Sequence, residues 1–214
     1  SEMCIRDRCI NLLKRLESSV HSFRITLERV RALIDGTITD INNFAGGNSK
    51  IINTQELSDT EFDVDDANTS FFENMGKKLD IDLADMDYVS WREKLQEDSE
   101  TLELLTLIIR DITPEHDSKL QKLLEIISDK ILHPFNANNK KVLIFSAFSD
   151  TVDYLYDEVA PFVKERFGVD TAMITGTTSG KTTVKLQRTD MNTILTLFSP
   201  ISKDKALLMP NNPA

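Results

Sequence analysis

A chain of 214 residues, 40% apolar and 28% charged, is long enough for one ordinary core and an appendage. Its longest apolar runs, such as "LTLII" at 105–109 and "VLIF" at 142–145, fall far short of the roughly 18–20 residues that hydrocarbon demands, and no charged-then-apolar leader opens it, so a cytoplasmic protein without a membrane span is expected. The net charge of −10 does not exclude nucleic acid, because sixteen acidic and four basic residues lie between Asn53 and Glu103 and the remainder holds 21 basic against 19 acidic residues.

The first nine residues, "SEMCIRDRC", carry no apolar period and read as a non-native start, set aside from the fold. They contain both cysteines, Cys4 and Cys9, whose spacing does not match a zinc knuckle; two free thiols are expected. From residue 10 to 42, Leu16, Val20, Phe23, Leu27, Val30 and Ile34 alternate steps of four and three, the stripe of one long amphipathic helix that Gly36 is placed to end. Residues 43–70, with "NNFAGGNSK" followed by "ELSDTEFDVDDANTS", read as an acidic flexible linker.

Helical spacing returns across 71–134. Leu95, Leu102, Leu105, Ile108, Ile109 and Ile112 form one face before Pro114, and Leu120, Leu123, Leu124, Ile127 and Ile131 form the next before Pro134. His21, His116 and His133 are too far apart for a metal site to be expected.

Over 135–214 the period changes. "KVLIFSAF" is a continuous run of β-branched and aromatic residues, the pattern of a parallel strand buried on both faces. Helical spacing follows through Val152, Leu155, Val159, Val163 and Phe167, with Ser149 or Asp150 as N-cap and Gly168 as the stop. "DTAMITG" is a second strand, and "TTVKLQRTDMNTILTLFS" one more short helix; the final "PISKDKALLMPNNPA" has no period. Strand, helix, strand predicts a parallel βαβ unit in an α/β domain, and two strands cannot make a sheet covered on both faces. Either the chain is a fragment, or its sheet is completed from outside.

"TGTTSGKTT" at 175–183 resembles a phosphate loop, but such a loop needs four residues between its glycines so that successive N–H groups wrap the phosphates. Only Thr177, Thr178 and Ser179 separate Gly176 from Gly180, and the loop follows the second strand, not the first. One alternative is a plain polar turn. Another keeps a function, since Thr175, Gly176, Thr177 and Thr178 end a parallel strand, and Lys181, Lys185 and Arg188 follow with no acidic residue among them. Hydroxyls, amides and cations in that order suit a nucleic-acid backbone.

Three stretches together, "LLKRLESSVHSFRITLERV" at 12–30, "DSKLQKLLEII" at 117–127 and "KVLIFSAFSDTVDYLYDEVA" at 141–160, resemble the second half of bacterial Swi/Snf-type superfamily 2 helicases. The resemblance covers roughly residues 10–205 and is weak across the acidic insert. It implies an incomplete RecA-like parallel sheet domain preceded by a helical connector, from an ATP-dependent nucleic-acid translocase. A Walker A loop, a DExH-type box and an arginine finger are missing, so the resemblance implies a piece truncated at both ends that does not hydrolyse ATP alone. ATP and Mg²⁺ belong to the intact parent, whose partners would be a nucleic acid, with DNA favoured, and an N-terminal RecA-like lobe.

Residue by residue, the resemblance implies that Ser146, Phe148, Ser149, Thr175 and Gly176 face the bound strand or the cleft between lobes, and the reading of the loop adds Thr177 and Lys181 as contacts to a nucleic acid. Phe148 equally fits a core and Ser149 a helix cap. Lys14, Arg15 and Glu17 would anchor the connector, or form a solvated face. A reading from another class is a non-enzymatic interaction domain whose acidic segment 53–70 binds a basic partner as a disordered arm.

Overall fold

The computed structural model describes residues 2–45, 51–53, 80–83, 86–176, 180–186 and 188–208. These residues are mostly helical, with two small antiparallel two-stranded sheets. The chain divides into two compact units, Ser1–Thr113 and Pro114–Ala214.

In the N-terminal unit, helix α1 (Glu2–Ser18) is followed at once by α2 (Val20–Ala45). The expected single helix is therefore broken at Ser19, and the cause is local chemistry. The Ser19 hydroxyl accepts the Ser22 N–H at 2.9 Å, the bond of an N-cap, so one helix ends where the next is capped. Helix α1 takes in the stretch set aside at the start of the sequence.

Gly36 does not stop α2. A glycine ends a helix by turning left-handed, and the one glycine with that backbone among the described residues is Gly168. Instead α2 runs on to bring Ile41 and Phe44 into a small cluster with Leu83, Met86, Tyr88, Trp91 and Leu95, in which the Phe44 and Tyr88 rings meet edge to face at 5.2 Å. Most of the expected acidic linker lies outside the described residues. Within it Ile51–Asn53 forms β1, paired antiparallel with β2 (Asp80–Asp82) in the register Ile52 opposite Ile81.

Helix α3 (Tyr88–Arg110) starts where Asp87 accepts the Ser90 N–H at 3.1 Å, and its residues run antiparallel to α2. Asn42 meets Arg92 at 3.4 Å, Asp35 meets Ser99 at 2.6 Å, and Arg31 meets Glu103 at 3.0 Å. The side chain that α3 buries is Ser99, while Leu105, Ile108 and Ile112 of the expected apolar face are exposed.

In the C-terminal unit, Asp117 caps α4 (Ser118–Leu132) through the Lys119 and Leu120 N–H groups, both at 3.0 Å. Leu120, Ile127 and Ile131 are buried as the spacing predicts, and they pack with Tyr154, Val159 and Val163 of α5 (Ser149–Phe167). Full burial of each such side chain is worth about 1.5–3 kcal/mol, so this cluster is the main source of the unit's stability. Gly168 closes α5 at φ 66°, its N–H reaching the Lys164 carbonyl at 3.0 Å.

The expected parallel strand does not pair. Residues 141–146 have no regular secondary structure, and β3 (Ala172–Met173) pairs antiparallel with β4 (Lys181–Thr182). A lone parallel partner cannot satisfy two faces and two edges, whereas a short hairpin closes at little entropic cost. Threonine chemistry fixes that hairpin and displaces the helix expected from residue 182. The Thr183 N–H and the Thr182 hydroxyl both donate to the Thr171 carbonyl, at 2.9 and 3.1 Å, while the Thr171 N–H donates to the Thr183 hydroxyl at 2.9 Å. Helix α6 (Met191–Phe198) begins only where Asp190 accepts the Thr193 N–H at 3.0 Å, and a short α7 (Lys205–Leu208) follows.

Among the described residues, no helix is long and apolar enough to cross a membrane.

Candidate functional site

The residues singled out in the sequence fall into two groups within the C-terminal unit. Ser146, Phe148 and Ser149 lead into α5. The Ser146 hydroxyl accepts the Phe148 N–H at 3.2 Å and donates to the Phe148 carbonyl at 3.3 Å, a turn that fixes the approach to the helix. Phe148, not Ser149 or Asp150, holds the cap position: its carbonyl accepts the Val152 N–H at 3.2 Å. Its ring is buried, 6% exposed, whereas Ser149 is half-buried.

The second group follows β3, which lies against α5. Thr175 is half-buried and Gly176 exposed; Thr177 and Thr178 lie outside the described residues. Lys181 opens β4 and is exposed, but its ammonium donates to Asp153 of α5 at 2.7 Å. That hydrogen bond, reinforced by the charges of Asp153 and Asp157, holds the lysine above its usual range. Lys185 and Arg188 are exposed and form no ion pair among the described residues.

Two described features of the loop do not match a phosphate cradle. A Cβ on Gly180 would lie 2.6 Å from both the Ile194 Cδ1 and the Thr189 carbonyl oxygen, so this glycine is filled by its own neighbours and does not open toward a ligand. The lysine that would meet the terminal phosphate is turned onto Asp153. Among the described residues, no group of three or more His, Cys, Asp or Glu side chains is arranged to hold a metal ion. His133 instead pairs with Asp129 at 2.9 Å, and His21 lies 3.4 Å from Arg24.

The sequence reading missed the polar centre of the unit. Asp117, 7% exposed, accepts two N–H groups on one carboxylate oxygen and the Tyr154 hydroxyl on the other, at 3.0 Å. Burial first, then the Asp117 charge and hydrogen bond, push the Tyr154 phenol far above its usual value of 10.0. Glu158 is also raised, by burial and then by the neighbouring Glu115 and Asp157 charges. Asp170 is lowered, chiefly by the Lys164 ammonium at 2.7 Å and then by the Thr183 hydroxyl.

Signals for these partners were present. Asp117 before a helix is a capping signal, and Asp150, Asp153 and Asp157 at i, i+3 and i+7 put an acidic row on one face of α5. In the connector signature, Lys14 and Glu17 are exposed while Arg15 is buried, 3% exposed, so the three do not form one solvated face.

In the N-terminal unit, Ile38, Asn42, Arg92, Glu93, Gln96 and Glu97 line an open groove of about 490 Å³ between α2 and α3. Its charges are mixed, and none is enclosed.

No family model matches the chain, and no curated protein or solved structure is found to be similar to it.

Proposed function

We propose that this chain is the connector and C-terminal RecA-like lobe of a cytoplasmic, ATP-dependent nucleic-acid helicase or translocase of the Swi/Snf type, and that by itself it turns over no ATP. The observation that carries this reading is the 3.0 Å bond between Asp117 and Tyr154. It joins "DSKL" to the "DTVDYLYDEV" helix, so two of the three stretches behind the resemblance meet in one buried contact. In this reading strands from outside the chain complete a parallel sheet along one edge of 141–146, and a preceding lobe binds ATP and Mg²⁺. Ser146, Ser149, Thr175, Gly176 and Thr177 face a DNA backbone, with Phe148 as their apolar support. Lys185 and Arg188 supply the charge, and Lys181 joins them once a phosphate competes with Asp153.

Fluorescence anisotropy with a labelled single-stranded oligonucleotide tests the proposal. Binding should weaken steeply with salt and should be lost in the double variant Lys185→Glu, Arg188→Glu, because each phosphate contact releases a counterion. No binding at low salt, or binding that the double variant leaves unchanged, would overturn it. ATP turnover by the isolated chain would overturn the claim that it is inactive alone.

The local charge favours one second reading, an interaction domain with an acidic arm: sixteen acidic residues lie in 53–103, and Asp153 covers the lysine of the basic loop. Its mark would be capture of a basic peptide that deletion of 53–70 abolishes.

A further inference from the structure

Among the described residues of the C-terminal unit, one exposed apolar segment has a backbone that is unused. Val142, Leu143, Ile144 and Phe145 make no hydrogen bond with any described residue, while the segment is fixed at both ends. At its start the Lys141 N–H donates to Asn139 at 3.2 Å and the Lys141 ammonium lies 5.3 Å from the Phe198 ring; at its end Ser146 is bonded to Phe148.

Exposure along the segment alternates as it does along a strand. Val142 packs on the core, Leu143 is 63% exposed, Ile144 41%, Phe145 85%, Ser146 is half-buried, and Phe148 is buried. A row of free N–H and C=O groups beside Leu143 and Phe145 is an open strand edge, which natural proteins cover or blunt. Nothing blunts this one, since 142–147 contains neither a charge nor a proline.

We propose that a second copy of this chain covers it, through antiparallel pairing of residues 141–147 with the same residues of the other copy. The sequence is self-complementary in the register a two-fold axis requires. With Ile144 opposite itself, Leu143 of each copy faces Phe145 of the other, Val142 faces Ser146 and Lys141 faces Ala147. The two most exposed side chains thus form two aliphatic–aromatic cross-strand pairs on one face, the kind of pair that stabilises sheets. The same register brings Lys140 and Lys141 of one copy toward the start of the other copy's α5, where Asp150 stands in the first turn. Charge and apolar pattern therefore agree on one occupant.

Sedimentation velocity of the full chain from low to high micromolar concentration tests this, with hydrogen exchange at 142–146 read at the two extremes. A discrete monomer–dimer equilibrium is expected, with those amides protected as dimer forms. Ile144→Lys, which sets two like charges opposite each other at the axis, should weaken the dimer at least about tenfold. Ile201→Lys, at a residue 91% exposed elsewhere in the unit, should leave it intact and controls for general loss of apolar surface. Circular dichroism confirms that each variant is folded. A chain that stays monomeric, a dimer that Ile144→Lys leaves unchanged, or aggregation without a discrete dimer would each overturn the proposal. None of these outcomes bears on oligonucleotide binding.

Discussion

The two units are held by different chemistry. In the N-terminal unit, α2 and α3 are linked along their length by polar bonds, from Asn42–Arg92 through Asp35–Ser99 to Arg31–Glu103, and the apolar cluster at one end is small. In the C-terminal unit a larger apolar cluster packs around the buried Asp117–Tyr154 bond. Exposed polar pairs contribute little each but accept only one alignment, while apolar burial contributes several kcal/mol and tolerates many alignments. The first unit is thus specified along its helices, and the second is stabilised at its centre.

The largest test of that contrast is Ile127→Ala. Ile127 is 3% exposed within the cluster, and its truncation should cost about 2–5 kcal/mol in urea unfolding followed by circular dichroism. A loss as small as that of a polar bond would remove the contrast.

Next in size is Tyr154→Phe, which leaves one oxygen of a buried carboxylate without its donor and should cost about 1–3 kcal/mol. It also has a pH signature. The folded phenol is held above its ordinary value of 10.0, so its contribution is complete below that pH. Above it the unfolded chain gives up the proton that the folded chain keeps, and stability falls as pH rises further. The stability difference between the native protein and Tyr154→Phe should therefore shrink above pH 10. A difference that stays constant there would show that the phenol is not held by burial and Asp117.

In the other unit, Ser99→Ala should cost about 0.5–1.5 kcal/mol, the range of one ordinary hydrogen bond, because the Asp35 carboxylate that accepts it is exposed to solvent. A loss of the Ile127→Ala size would mean that this polar contact is a core contact in its own right. Smallest of all is Lys181→Ala. Its ion pair with Asp153 is solvent-exposed and should be worth less than about 1 kcal/mol, an effect that salt reduces further.

Legibility followed the range of each interaction. Helices α4 and α5 were readable because apolar spacing and, for α5, the stop at Gly168 act within a few residues. The break at Ser19 was hidden, since the apolar stripe continues across a serine whose hydroxyl caps the second helix. Gly36 misled because its type suggests a stop while its backbone stays helical. The run at 141–148 had strand composition, but pairing depends on a neighbour that composition does not disclose.

The site was legible in its residues and not in their partners. Ser146 and Phe148 do meet before α5, as the order of residues suggests, but the pairing of Lys181 with Asp153 spans 28 positions. A cation read as available to a ligand in a linear sequence can already be occupied by its own fold.

Gly180 carries a consequence for anyone who would re-engineer this loop. Its missing side chain is space that the Ile194 methyl and the Thr189 carbonyl already share. Adding the one residue that would complete phosphate-loop spacing between Gly176 and Gly180 would not create a nucleotide pocket. Gly180 would still be hemmed in by Ile194 and Thr189, so that a motif improved on paper would gain no room for a phosphate beside it.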